Sequence, residues 1–259
     1  MVRLNANLSL LFTEYPFLER FEPAALCGFK AIEFWFPYTW EKAAIKERLD
    51  RYGLELVLHN IPGGDWESGE RGLACIPGEE TRFRELVSLA RDYAVALNCP
   101  RLNCPLGIAP PGIPPVEVRK TLVNNLRFAA DALKAAGISL MIEPLNTQDT
   151  PGYCLTHTRD ALDLIGELGR GNVRIQYDVY HMQVMEGDLI NTIRNNLPDI
   201  GHIQIADNPG RHEPGTGEIN FHNLLRSIDE AGYEGWVSCE YKPRGATRDS
   251  FIWAGPYLK

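Results

Sequence analysis

The sequence predicts a single α/β domain over residues 1–259, folded as a closed (β/α)8 TIM barrel, and three observations carry that prediction. Eight short apolar runs alternate with longer segments of helical period, the pattern of parallel strands joined by helical crossovers. Gly28, Gly137 and Gly232 each stand just past a helix candidate and just before a strand, where a left-handed residue is wanted. Four side chains able to hold a metal end four consecutive runs, as they would at the C-terminal mouth of a barrel.

The elements follow in order. Strand candidate Leu4–Leu11 leads to a helix at about Pro16–Cys27, Ala31–Phe36 to a helix over Trp40–Tyr52, and Glu55–Asn60 is the third strand. Ile61–Glu80 holds too many glycines and prolines for a regular element and is long for a connection, so it is expected to be a lid over the mouth. Helix candidate Gly78–Asn98 then precedes strand Arg101–Gly107, and Pro115–Ala136 precedes strand Ser139–Pro144. His157–Leu168, Val173–Asp178, Asp188–Asn196, Ile200–Asp207, Phe221–Ala231 and Trp236–Tyr241 complete the alternation, helix before strand each time. Eight such units favour a closed barrel over an open doubly wound sheet, and neither GxGxxG nor GxxxxGK[ST] is present to cradle a nucleotide.

Composition narrows the function. A net charge of −8 disfavours a nucleic-acid partner, which needs clustered cations to displace counterions from phosphate. No run is long and apolar enough for a membrane span, and the N-terminal MVRLNANLSLLFTEYPF lacks the architecture of a cleaved signal, so a cytoplasmic protein is expected. The six cysteines, at 27, 75, 99, 104, 154 and 239, have no zinc or redox spacing and read as free thiols of a reducing compartment. The aromatic run EFWFPYTW (33–40) suits a pocket rim or a subunit contact, and a homo-oligomer is expected.

The four strand-end residues are Glu143, Asp178, Gln204 and Glu240. Alternation puts Met141 and Glu143 on one face of their strand, Arg174, Gln176 and Asp178 on another, His202 and Gln204 on a third, and Trp236, Ser238, Glu240 and Lys242 on the last. Singly, such a carboxylate caps a helix or pairs with arginine. At four corresponding ends they read as one oxygen-donor site for a hard cation, Mg²⁺ or Mn²⁺ before Zn²⁺. His181, three residues past Asp178, is expected on the sixth loop as a donor to a substrate oxygen. Arg211, in the loop ADNPGRHEPGTGEIN, is expected to grip a substrate carboxylate. His59, Asn60 and Lys242 are placed at the pocket edge, subject to strand register.

The chain resembles the hydroxypyruvate isomerase family of the xylose-isomerase-like TIM-barrel superfamily. The resemblance is carried by GFKAIEFWFPY (28–38), LHNIPGGDWESGERGLACIPG (58–78), IEPLN (142–146), IQYDVYHMQVMEGDL (175–189), HIQIADNPGRHEPGTGEIN (202–220) and GWVSCEYKPRG (235–245). It implies a metal site of Glu143, Asp178, Gln204 and Glu240, with Glu143 and Glu240 also moving the proton. It implies as substrate a small anionic hydroxy-oxo acid, hydroxypyruvate, interconverted with tartronate semialdehyde. Isomerisation of a 2-oxo-tetronate, epimerisation of a neutral sugar, and a non-catalytic sugar-acid binder are the alternatives. A barrel endonuclease would call for zinc-binding histidines and a basic groove, and the sequence has neither.

Overall fold

The computed structural model describes residues 1–258. Eight parallel strands close on themselves in chain order: β1 Arg3–Asn7, β2 Ala31–Phe34, β3 Glu55–Asn60, β4 Arg101–Asn103, β5 Ser139–Ile142, β6 Val173–Asp178, β7 Ile200–Ile205 and β8 Trp236–Cys239. β1 closes the barrel on β8 through the register Arg3↔Trp236 to Ala6↔Cys239. Around them lie α1 Phe21–Leu26, α2 Lys42–Tyr52, α3 Glu80–Leu97, α4 Pro115–Lys134, α5 Thr158–Leu168, α6 Val179–Met185, α7 Leu189–Asn196 and α8 Phe221–Glu230.

β3 and β6 have the bounds the sequence suggested, but the other six strands end earlier than their apolar runs, so Glu143 and Glu240 sit one residue beyond β5 and β8 rather than inside them. Gly28, Gly137 and Gly232 adopt φ of 97°, 72° and 81°, as the punctuation required. The unforeseen element is α6. Asp178 starts it, its carboxylate accepting from the Tyr180 backbone N–H at 2.8 Å, so His181 rides on a helix rather than on a loop.

Two register shifts set which side chains face inward. β3 carries one extra residue at Val57, between the pairs Ile32↔Leu56 and Glu33↔Leu58, and β7 carries one at Gly201, between Ile175↔Ile200 and Gln176↔His202. Gly201 has no room for a side chain: a Cβ there would lie 2.6 Å from Met141 Sδ. The interior is layered as a result. Ala31, Val57, Leu58 and Met141 pack with Trp236 toward the N-terminal end. Above them stand Asn5, Asn7, Glu33, Gln176, His202, Gln204 and Ser238, each at most 2% exposed. Between strands and helices, Phe21, Phe34, Leu56, Leu102, Leu126, Leu140 and Ile203 belong to one continuous apolar core. Among the described residues no helix is long and apolar enough to cross a membrane, and all six cysteines are free.

Candidate active site

The site rests on the polar interior layer, whose centre is Glu33 on β2. Its carboxylate accepts from Asn5 Nδ2 at 3.3 Å, Asn7 Nδ2 at 2.9 Å and Gln204 Nε2 at 2.8 Å, and His202 Nε2 lies 2.6 Å away. Burial works to raise the Glu33 carboxyl, but His202 and the hydrogen bonds around it prevail and hold it below the usual value. Gln204 is thereby oriented: its Nε2 donates to Glu33 and Glu240, and its Oε1 accepts from Gln176 Nε2 at 2.7 Å. The same Gln176 Nε2 reaches Glu143 Oε2 at 2.8 Å. Glu33 is missed by the sequence reading, although a lone carboxylate in the apolar run AIEFWF is its signal.

Above this layer the four strand-end residues converge. Gln176 links Glu143 to Gln204, Gln204 reaches Glu240, and Arg211 Nη2 bridges Asp178 Oδ2 at 3.1 Å and Glu240 Oε1 at 2.9 Å. Glu143, Asp178 and His181 bring one ligand-type atom each within 4.8 Å of one another. Burial, then the neighbouring Asp178 charge, pushes Glu143 up to about 8. Burial likewise raises Asp178 and takes Glu240 well above the carboxylate range, even with Arg211 pulling both down. Three carboxylates in so small a buried volume need positive charge, and Arg211 supplies it here, on a backbone of φ 55°. The Arg211 loop is built by buried Asp207, whose oxygens accept from the backbone N–H groups of Asn208, Gly215, Gly217 and Ile219.

His181 is 3% exposed and its Nδ1 accepts the Asn146 backbone N–H at 3.1 Å, so the neutral ring carries its proton on Nε2, which lies 3.5 Å from Asp178 Oδ2. Burial and then Arg211 depress its pKa well below the usual value, so the ring is neutral. In that tautomer Nε2 is a hydrogen-bond donor, not a metal ligand.

A cavity of about 110 Å³ opens onto this cluster, lined by Glu143, Glu240, His181 and Arg211 from below and by Trp35, Phe36, Asn60, Trp66, Arg71 and Asn103 around the rim. Trp66 and Arg71 belong to the long loop after β3, which therefore covers the mouth as the sequence suggested. Trp35 Nε1 donates to Glu240 Oε1 at 3.3 Å, so part of the aromatic run EFWFPYTW is used at the pocket. Two expected edge residues are elsewhere. The bulge at Val57 turns Asn60 inward and His59 outward, where His59 lies against Phe34 and Tyr38 with its Nδ1 3.2 Å from the Tyr38 hydroxyl. Lys242 is exposed and outside the cavity; its backbone N–H donates to the Arg211 carbonyl at 2.8 Å, so the residue steadies the loop through its main chain. Leaving the strand at Glu240 ends the alternation that would have carried Lys242 inward.

Comparison with known proteins agrees with this construction. The family model described as xylose isomerase-like TIM barrel matches residues 21–255. A hydroxypyruvate isomerase of Escherichia coli is 52% identical over 257 residues, 99% of this chain and 100% of that protein. A 2-oxo-tetronate isomerase of Cupriavidus necator is 43% identical, covering 100% of this chain and 99% of its own. Among solved structures, one described as an AP endonuclease, family 2, from Brucella melitensis superposes with a TM-score of 0.97 at 44% identity over the whole of both chains. With full-length relatives at these identities and the barrel mouth described above, the chain belongs to the xylose isomerase-like TIM barrel family and, within it, to the isomerases that interconvert aldose and ketose forms.

Proposed function

We propose that the protein is a hydroxypyruvate isomerase, interconverting hydroxypyruvate and 2-hydroxy-3-oxopropanoate by moving a proton between adjacent carbons through an enediolate. The observation that carries this reading is the convergence of Glu143, Asp178 and Glu240 with Gln204 below one small cavity. The full-length likeness to the E. coli hydroxypyruvate isomerase supports it. The continuous core supports reading the described residues, 1–258, as one domain, and six free thiols support a reducing cytoplasm.

Glu143, Asp178, Gln204 and Glu240 would hold a divalent ion, and the donor set fits one: three buried carboxylates raised by burial and an amide oxygen suit a hard cation such as Mg²⁺ or Mn²⁺. When bound, the ion supplies Lewis-acid stabilisation of the charge that develops on the substrate oxygens. Glu143 and Glu240, just past the ends of β5 and β8, act as the pair that removes the proton from one carbon and returns one to the next. His181 donates from Nε2 to a substrate oxygen while staying neutral. Trp35, Phe36 and Trp66 keep water from the enediolate.

Glu143→Gln and Glu240→Gln are each expected to lower kcat by about 100-fold or more with the fold intact by circular dichroism, the usual size of a general acid-base contribution. Retained turnover in either variant removes that residue from proton transfer. The Cupriavidus relative favours one second reading, a longer 2-oxo-tetronate at the same site, and a panel of sugar acids with the wild-type enzyme separates the two. An endonuclease reading lacks support in this chain, whose net charge is −8 and whose site offers a single histidine, held as a donor.

A further inference from the structure

We infer that Arg71, on the loop that covers the barrel mouth, binds the substrate's carboxylate and so makes the enzyme select sugar acids over neutral sugars. The inference rests on the isomerase reading of the same cavity. The cavity is lined by three carboxylates, Glu143, Asp149 and Glu240, so an anionic substrate there is favoured by a cation that those carboxylates do not already hold. Two arginines line the cavity, Arg71 and Arg211. Arg211 is committed, its Nη2 shared between Asp178 and Glu240. Arg71 has no carboxylate partner among the described residues. Its Nη1 donates to the backbone carbonyls of Trp66 at 2.9 Å and Glu70 at 2.8 Å, which leaves Nε and Nη2 for a forked pair with a ligand carboxylate.

The surroundings keep Arg71 in place and unneutralised. Its guanidinium lies 4.3 Å over the Trp66 ring, which fixes the plane of the fork. The adjacent Glu70, the obvious internal partner, is taken by Arg82 of α3 through contacts of 2.9 and 2.7 Å. Gly72 pins the backbone just beyond. Its N–H donates to the Gly63 carbonyl at 2.8 Å, and at φ 123° a Cβ there would meet the Pro105 carbonyl oxygen at 2.1 Å. In the same cavity, Asn60 Oδ1 and Asn103 Oδ1 are buried acceptors without partners, suited to the hydroxyl groups of a short hydroxy-oxo acid.

The test compares hydroxypyruvate with dihydroxyacetone, which has the same carbinol and carbonyl but no charge, in wild type, Arg71→Lys and Arg71→Met. Arg71→Met is expected to lower kcat/KM for hydroxypyruvate by about 100-fold or more, chiefly through KM, and to change that for dihydroxyacetone by less than about 3-fold. Arg71→Lys, a point charge without the fork, should fall between. Mn²⁺ affinity, titrated separately, should not move. An equal loss on both substrates, or a hydroxypyruvate value within about 3-fold of wild type, overturns the assignment. Calorimetric binding of hydroxypyruvate separates the two proposals. Wild-type binding that Arg71→Met abolishes, with no turnover in either, keeps Arg71 and removes the isomerase reading, whereas binding unaffected by Arg71→Met removes Arg71.

Discussion

Replacing Glu33 by glutamine tests the claim that the metal ligands are oriented from below. The fully buried carboxylate receives four donors, from Asn5, Asn7, His202 and Gln204, at 2.6 to 3.3 Å. The substituted amide keeps the shape but loses the charge and brings two N–H donors into a nest of donors, leaving at least one of them unsatisfied. A hydrogen bond to a charged group contributes about 1.5–3 kcal/mol, and a buried group left unpaired costs about 1–3 kcal/mol, so a loss of about 2–4 kcal/mol in urea unfolding of the metal-free protein is expected. The second effect is on Gln204. With the charged partner below its Nε2 lost, the amide is held less firmly in orientation, and Mn²⁺ affinity should fall by about 10–100-fold, the usual cost of losing an outer partner of a ligand. Titration followed by electron paramagnetic resonance of free Mn²⁺ measures this directly. Exchanging the two residues, Glu33→Gln with Gln204→Glu, should recover most of the affinity, because a carboxylate at 204 has no wrong face. Unchanged affinity in Glu33→Gln, or no recovery in the exchanged pair, refutes the argument.

Three further outcomes are expected. Carboxyls raised in the folded state, Glu143 to about 8 and Glu240 and Asp178 upward, contribute stability below their unfolded pKa that is lost as pH rises through the folded one. The metal-free protein should therefore weaken from acidic toward mildly alkaline pH, and Mn²⁺ binding near neutrality should release protons; calorimetry in buffers of different ionisation enthalpy that finds no release contradicts this. Burial lowers His59 to about 4, so the unfolded chain takes up a proton that the folded one refuses, and stability is lost as pH falls from about 6.5 towards 4. His59→Gln should reduce that loss by about 1.4 kcal/mol per pH unit in chemical denaturation, and an unchanged slope would mean that His59 is protonated in the fold. Lys242→Ala should leave kcat and KM within about 2-fold, since its side chain lies outside the cavity; a large change would put the ammonium back at the pocket edge.

The barrel was legible because its two periods, alternation in strands and glycine-ended helices, are local properties of the chain. The inward faces of β5 to β8 were legible for the same reason, and Gln176, His202 and Ser238 all point where alternation put them. Alternation failed where a strand stopped, the end of β8 before Glu240 releasing Lys242 to solvent. On β3 the sequence left the parity open, and the extra residue at Val57 decides it, with His59 out and Asn60 in. Asp178 was recognised as a site carboxylate but not as the residue that starts α6, since one side chain serves both ends. Glu33 and Arg71 depend on partners more than a hundred residues away or on loop geometry, which no periodicity records. Arg211 reaches the cavity, as its loop position suggested, and its guanidinium also bridges Asp178 and Glu240, which the sequence did not show.

The central claim is that this site relays a proton between adjacent carbons of hydroxypyruvate. Metal-stripped protein, reloaded with Mg²⁺ and incubated with hydroxypyruvate in D₂O, is followed by proton NMR. Tartronate semialdehyde that carries solvent deuterium at C2, formed only in the reloaded sample, is the predicted result. Conversion without deuterium would contradict a proton relayed by exchangeable carboxyls, and no conversion with any divalent ion would contradict the activity itself.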